Sequence, residues 1–306
     1  MSFDVDLRAV RFLIAASEEG SLTEAARRLH FSQPGLSVQI RHLERHLGTP
    51  LLVRDHRGVT LTPAGEVAVR EGRRLLRLAE SFHNDVRALA GGAQPQLRLQ
   101  FHSNGAAELM PLLIRGFEQR RPDVKLLLHE FDLADPLAGL RDGTTDALLL
   151  RLPLDGTEDL AVMDLFSEPR VVALSRDHRL ATHASVKAED LLDERWVVGM
   201  PSGTSRDFWT LQSYRRSPAT IISEGRSVAE LWPVVASGRA VLTCPASAVR
   251  YENRPELAFV PIEDVEPSVC ALAWHPDNAR PELRALIEAA EHACRHLPPE
   301  LEPVTA

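Results

Sequence analysis

Apolar positions along this chain fall into three regimes. Up to residue 62 they recur in short helical periods with tight breaks. Leu7, Val10, Phe12, Leu13 and Ala16 share one helical face, and Gly20 closes that helix. Ser21 suits an N-cap, and Glu24 three residues on completes a capping box. The helix it opens, 22–29, turns Ala25, Ala26 and Leu29 inward. Ser32 and Pro34 suit the start of a third helix, since an N-cap accepts an amide hydrogen and a first-turn proline sacrifices none. That helix, about 33–47, buries Leu36, Ile40, Leu43 and Leu47, and Gly48 stops it. Residues 51–53 and 59–61 then read as a two-stranded wing. From 63 to 90 one helical pattern runs on. Ala68, Gly72, Leu75, Ala79, Phe82, Val86 and Leu89 recur at alternating spacings of three and four, the heptad seam of a paired helix. Gly91, Gly92, Ala93, Gln94 and Pro95 break it, a linker by composition. Beyond it, strand-like runs at 97–101, 125–129, 146–150, 171–174, 196–199 and 241–243 alternate with helical periods at 106–120, 227–237 and 281–296. This alternation predicts α/β layers with largely parallel sheets.

Composition narrows the class. The 306 residues, 44% hydrophobic and 25% charged, suit two globular domains. No run approaches the ~18 apolar residues of a membrane span, so no membrane partner is expected. The acidic start at Asp4 and Asp6 does not read as a signal peptide. Cys244, Cys270 and Cys294 form no C-x-x-C and read as free thiols in a reducing, cytoplasmic setting. A net charge of −8 argues against nucleic acid, but its distribution points the other way. Residues 1–90 balance at +2 and residues 91–306 at −10, a modestly basic head on an acidic body.

The head has the polarity of a DNA reader. Its third helix carries Gln33, Ser37, Gln39, Arg41 and His42 off the apolar stripe. Gln can pair bidentately with adenine, and the N-terminal residues of such a helix lie nearest the base edges. Arg54 and Arg57, at the base and tip of the wing, are placed for phosphate or minor-groove contact. The stretches Gly20-Ser21-Leu22-Thr23-Glu24-Ala25-Ala26, Ser32-Gln33-Pro34-Gly35-Leu36-Ser37, Gln39-Ile40-Arg41-His42-Leu43-Glu44 and Leu61-Thr62-Pro63-Ala64-Gly65, with Leu47, Gly48, Leu51 and Arg54, together resemble the LysR-type transcriptional regulators. The match is continuous over about residues 5–66. Leu52 replaces the usual Phe, and Val38 stands where many relatives carry a basic residue. The resemblance implies an α+β multidomain chain. A winged helix-turn-helix at 1–62 would be followed by a linker and dimerisation helix at 63–94. A two-lobed α/β effector domain like periplasmic binding proteins would fill 95–306, with lobe I about 95–166 and 267–298 and lobe II about 167–266. Its expected partners are double-stranded DNA, a small-molecule effector and further copies of itself as homodimer or homotetramer, with RNA polymerase as one more that such a regulator can meet. The expected DNA contacts are Ser21, Thr23, Ser32, Gln33, Pro34, Ser37, Gln39, Arg41, Arg54 and Arg57.

In open α/β sheets ligands bind at the carboxyl ends of strands, against helix N-termini. Three turns qualify: Ser103-Asn104, the stretch Pro201-Ser202-Gly203-Thr204 with Arg206 close behind, and Ser227-Val228. Free N–H groups at each suit a small organic anion. No catalytic motif appears, no cofactor is expected, and the pairs His42/His46 and His292/His296 lack further ligands for a metal. A solute-binding protein, or an enzyme with an appended DNA-binding head, are the competing readings. The first leaves Ser32-Gln33-Pro34 and the wing arginines without a role.

Overall fold

A computed structural model of the protein describes residues 5–55, 58–89, 94–103, 106–200, 202–298 and 301–303. Arg57, Asn104, Pro201 and most of the break after the long helix lie outside the described residues. The chain forms two compact units, Met1–Ala93 with Arg141–Gly143, and Gln94–Leu140 with Thr144–Ala306.

The first unit begins with α1 (Leu7–Glu19), α2 (Leu22–Arg28) and α3 (Gln33–Leu47). Each starts at a side-chain cap: Asp6 accepts from the Arg8 amide, Ser21 from Glu24 and Ser32 from Gly35. Gly20 and Gly48 end α1 and α3 in the left-handed region, where a side chain would strain the backbone. Leu13, Ala16, Ala25, Leu36 and Ile40 meet in the core. Leu47 does not; it is exposed, because α3 ends there and Gly48 turns the chain away. The wing is an antiparallel pair, β1 (Leu52–Asp55) and β2 (Gly58–Leu61). It is pinned where the Val59 amide donates to the Gly20 carbonyl at 3.0 Å. The long helix α4 (Pro63–Leu89) follows. Its expected seam divides. Gly72 lies against Val10 of α1, so closely that a Cβ would sit 2.5 Å from Val10 Cγ1, and Ala68 also packs on the first unit's own core. Only the later stretch turns outward, with Leu75, Leu78, Phe82 and Val86 exposed.

The second unit runs β3 (Gln96–Phe101), α5 (Leu109–Arg120), β4 (Lys125–Glu130), α6 (Ala138–Asp142), β5 (Ala147–Leu152), β6 (Ala161–Glu168), β7 (Arg170–Ser175), β8 (Arg195–Val198), α7 (Gly203–Trp209), β9 (Thr220–Glu224), α8 (Val228–Ala236), β10 (Leu242–Pro245), α9 (Ala248–Tyr251), β11 (Leu257–Pro261), β12 (Ser268–Trp274), α10 (Pro281–Cys294) and β13 (Glu302–Pro303). One lobe is a six-stranded sheet ordered β13-β6-β12-β5-β3-β4, and the other holds β10-β7-β11 and the pair β8-β9. The expectation of largely parallel sheets is corrected. β3 runs parallel to β4 and β5, and β8 to β9, but β12 opposes both β5 and β6, and β7 opposes both its neighbours. A parallel neighbour needs a crossover, usually a helix. Here β6 passes straight through Pro169 into β7 of the other lobe, and the chain returns between β11 and β12 without one.

The two crossings meet at a buried charge pair. Arg151, late in β5, donates through Nη2 to Oε1 of Glu168 at the end of β6, and both side chains are almost wholly buried. Glu168 also accepts from the Ser247 amide at 2.5 Å and the Ser247 hydroxyl at 3.0 Å, in the second lobe. Arg151 Nη1 lies 3.4 Å from the hydroxyl of Ser268, where the chain re-enters the first lobe. Glu168→Leu strands the guanidinium in the interior and should cost about 3–5 kcal/mol in urea unfolding, while Arg151→Met/Glu168→Leu should recover most of that loss. Equal destabilisation by single and double variants would show that the pair is incidental.

Candidate functional site

The first unit presents α3 with its stripe of Leu36, Ile40 and Leu43 buried and the opposite face open. Thr23, Ser32, Pro34, Arg41, His42 and Arg45 are exposed, and Ser21, Gln33 and Gln39 half-buried. The oxygens of Ser21 and Ser32 are engaged as caps, at 3.4 and 3.3 Å, which leaves their O–H groups to donate outward. Gly35 is required by crowding: a Cβ there would lie 2.8 Å from the ring of Phe31.

Ser37 is a correction. Its place off the apolar stripe predicts the reading face, yet it is buried. It flanks the stripe on the edge it shares with Glu44, seven residues on, and β1 covers that edge. Its hydroxyl accepts from Arg54 Nη1 at 2.9 Å. Glu44 accepts from the amides of Leu51 and Leu52 at 2.9 and 3.2 Å and lies 3.6 Å from Arg54 Nη2. Arg54 thus ties the wing to α3. Thr62 and Gly65 are structural too. Thr62 Oγ1 accepts from the Gly65 amide at 3.0 Å, and a Cβ on Gly65 would meet the Leu51 carbonyl at 2.1 Å.

In the second unit the lobes enclose a cavity of about 120 Å³, walled chiefly by Phe131, Leu133, Leu150, Leu231, Trp232 and Leu242. His102, Ser103, Arg206 and Val228, at or beside the expected turns, also line it, whereas Ser202, Thr204 and Ser227 do not. His102 stands edge-on to Phe131 with ring centroids 5.3 Å apart. Burial, helped by the positive charge of Arg151, pushes its pKa down to about 4, so the ring is neutral at physiological pH. Burial pushes all three thiols up, Cys270 to about 12 and Cys294 to about 11; Cys244, also raised, lines the cavity. None is a thiolate at neutral pH.

The three turns carry a second correction. At the first two turns an N–H group expected to be free already faces a carboxylate of the chain itself, and at the third a carboxylate stands beside the turn. The Ser103 amide donates to Glu130 Oε1 at 2.8 Å. Helix α5 starts only at Leu109, because Ser103 and Ala107 both take left-handed backbone. The Thr204 amide donates to Asp155 Oδ2 at 2.7 Å and its hydroxyl to Oδ1 of the same residue. These two bonds hold the Asp155 carboxyl below its usual range. Beyond Gly203, with φ at +89°, no side chain intervenes; a Cβ would sit 2.1 Å from Asp155. At the third turn Glu230 accepts from the Arg226 amide at 2.9 Å and the Ser227 hydroxyl at 3.3 Å.

One of these bonds and two further ion pairs join the two lobes. Asp155 of the first lobe meets Thr204 of the second, Asp132 meets Arg226 Nε at 2.6 Å, and Glu108 meets Arg250 at 2.5 and 3.0 Å. The hydrogen bond from Arg226 lowers the Asp132 pKa. Sequence reading misses these clamps, because the partners stand 49, 94 and 142 residues apart. Among the described residues no group of three or more His, Cys, Asp or Glu could hold a metal ion.

Comparison with known proteins covers nearly the whole chain. The family model described as bacterial regulatory helix-turn-helix protein, lysR family, matches residues 7–66, and the one described as LysR substrate binding domain matches residues 90–295. The Hca operon transcriptional activator HcaR of Escherichia coli K12 is 32% identical over 92% of this chain and 96% of its own. The regulator AlsR of Bacillus subtilis is 28% identical over 92% and 94%. Among solved structures, a full-length OxyR from Pseudomonas aeruginosa superposes with a TM-score of 0.59 at 28% identity over 96% of each chain. CbnR, a LysR family transcriptional regulator, shares the fold with a TM-score of 0.62 at 23% identity, covering 95% of this chain and 99% of that one.

The shifted histidine sets a pH dependence. Between its folded pKa of about 4 and its ordinary value of 6.5, the unfolded chain binds more protons than the folded one. Stability should therefore fall by about 2–3 kcal/mol as pH drops through that window, and level off below it. Urea midpoints at pH 7 and pH 4.5 should show the loss in the parent and much less in His102→Gln. An equal loss in both chains would assign it to the carboxylates.

Proposed function

The chain belongs to the LysR family of transcriptional regulators, and on that premise we propose which residues meet DNA, how the chain assembles and where its effector sits. It is a DNA-binding regulator with a helix-turn-helix head and a C-terminal effector-binding domain. The observation that carries the residue assignment is the open face of α3, polar along its length and capped by Ser32. Gln33, at its N-terminal end, reads a base edge, and Gln39 and Arg41 lie further along the groove. The hydroxyls of Ser21, Thr23 and Ser32 donate to phosphates, and Pro34 packs against the sugar edge. Arg54 holds the wing in place, and Arg57, between β1 and β2 in the sequence, completes the contact. Ser37 acts through Arg54 rather than on DNA.

Residues 1–62 form the head, 63–94 the linker and 95–306 the effector domain. The outer part of α4 pairs with a second copy, since Leu78 and Phe82 are 68% and 69% exposed, uncovered by the described residues of the first unit. Two heads then meet two half-sites. The cavity between the lobes is the effector site. A ligand there touches both lobes, and it shifts their arrangement only by its differential affinity for the two states. No helix among the described residues is long and apolar enough to cross a membrane, which suits a cytoplasmic regulator.

Mapping bound DNA across the genome tests the whole reading and supplies an operator. On that operator, Gln33→Ala should cost about 1–3 kcal/mol and relax specificity at one base pair. Arg41→Ala should weaken all sequences alike and lower the salt slope by about one. Gel shifts at two salt concentrations separate these effects, and unchanged affinity in both variants would sink the assignment of α3.

The assembly is tested by Phe82→Asp, which places an unpaired charge in an apolar seam. Sedimentation should find monomers where the parent is dimeric. A variant as tightly associated as the parent would move the interface elsewhere.

A further inference from the structure

We infer that the effector is a small uncharged molecule, about one ring in size, whose polar group meets His102 and Trp232 inside the cavity; this rests on the reading that the cavity is the effector site. The volume comes first. A cavity of about 120 Å³ is of the order of the ~150 Å³ apolar cavity that takes up benzene, so one ring with a short substituent nearly fills it.

The wall supplies the next constraint. Its charged residues are Arg151, Arg206 and Glu252. Each lies beside an opposite charge from outside the wall: Arg151 is paired with Glu168, Arg206 lies 3.7 Å from Asp207, and Glu252 lies 3.2 Å from Arg254. His102 brings no charge, since burial keeps its ring neutral. The turns that could otherwise receive an anion hold Glu130, Asp155 and Glu230. An incoming carboxylate would leave water for an apolar wall, find the Ser103 and Thr204 amides already taken, and meet a negative Glu230 at the third turn, a transfer that disfavours ions strongly.

Two polar atoms on the lining residues have no hydrogen-bond partner among the described residues: Nδ1 of His102 and Nε1 of Trp232. Both are buried, and buried polar groups are ordinarily satisfied. They come from different lobes, His102 from the end of β3 and Trp232 from α8. The indole N–H can only donate, so it calls for an acceptor such as a carbonyl or hydroxyl oxygen, while a neutral imidazole nitrogen can take either role. A carboxamide, ketone or alcohol on a ring supplies that chemistry without a charge.

The test uses the full-length protein and three molecules of nearly one shape: benzoate, benzamide and benzamidine, with charges of −1, 0 and +1 at neutral pH. Phenol and cyclohexanone extend the uncharged set. Calorimetry should find an uncharged probe binding at least about tenfold more tightly than benzoate, and Trp232→Phe, which keeps the ring but loses the N–H, should weaken it by about tenfold. Tighter binding of benzoate or benzamidine, or no uncharged probe bound at millimolar concentration, overturns the ligand class. Ala248→Phe adds a ring to the cavity wall and tests the site separately. If an uncharged probe binds the parent and this variant alike, with circular dichroism unchanged, the cavity is not where it binds and the site reading fails instead.

Discussion

The second unit is organised by one buried ion pair. Arg151 and Glu168 join β5 and β6, the two strands flanking β12, at the point where the chain leaves the first lobe. Ser247 and Ser268 bring the second lobe and the return strand to the same carboxylate–guanidinium group. Burying two charges is costly, and such a pair holds its place only when its remaining valences are satisfied. Here they are satisfied from both lobes at once. The requirement fixes where the crossings lie, and through them where the cavity opens. It also reaches the histidine in the wall, whose ring sits near enough to the guanidinium for its charge to help keep the imidazole neutral.

The clamps at the mouth of the cleft are of a different kind. Glu108–Arg250 and Asp132–Arg226 are solvent-facing, and exposed ion pairs of this sort contribute little and are screened by salt. The crossings between the lobes are thus firmly held, while the bonds across the mouth are weak. A cleft built this way can be biased by the modest differential affinity of a small ligand.

How much can be read from the chain depends on range. The helices of the head are legible because their signals are local: Ser21 and Ser32 precede their helices by one residue, and Gly20 and Gly48 follow theirs by one. The apolar stripe of α3 is equally plain, except at its end, where Leu47 has no neighbour to bury it. Ser37 misleads, since a hydroxyl one step off the stripe looks the same in sequence whether a wing covers it or not. In the body the turns at Ser103, Thr204 and Ser227 are recognisable as turns, but the acids at the first two, Glu130 and Asp155, come from distant parts of the chain. The sheet direction fails for a related reason. Periodicity identifies a strand, whereas its orientation depends on whether the next segment crosses over the sheet or leaves it, and Pro169 marks that exit with a single residue.

Gly72 gives the long helix a mechanical property. Because it has no side chain, α4 lies close against Val10 of α1, and that contact acts as a fulcrum. From there to Leu89 the helix extends about 25 Å at ~1.5 Å per residue. A bulkier residue at the fulcrum that tilted the helix by roughly 10° would swing its far end by about 4 Å, close to the rise of one base pair (~3.4 Å). Drift at this one position would therefore act as a coarse adjustment of span, with the residues of α3 themselves unchanged.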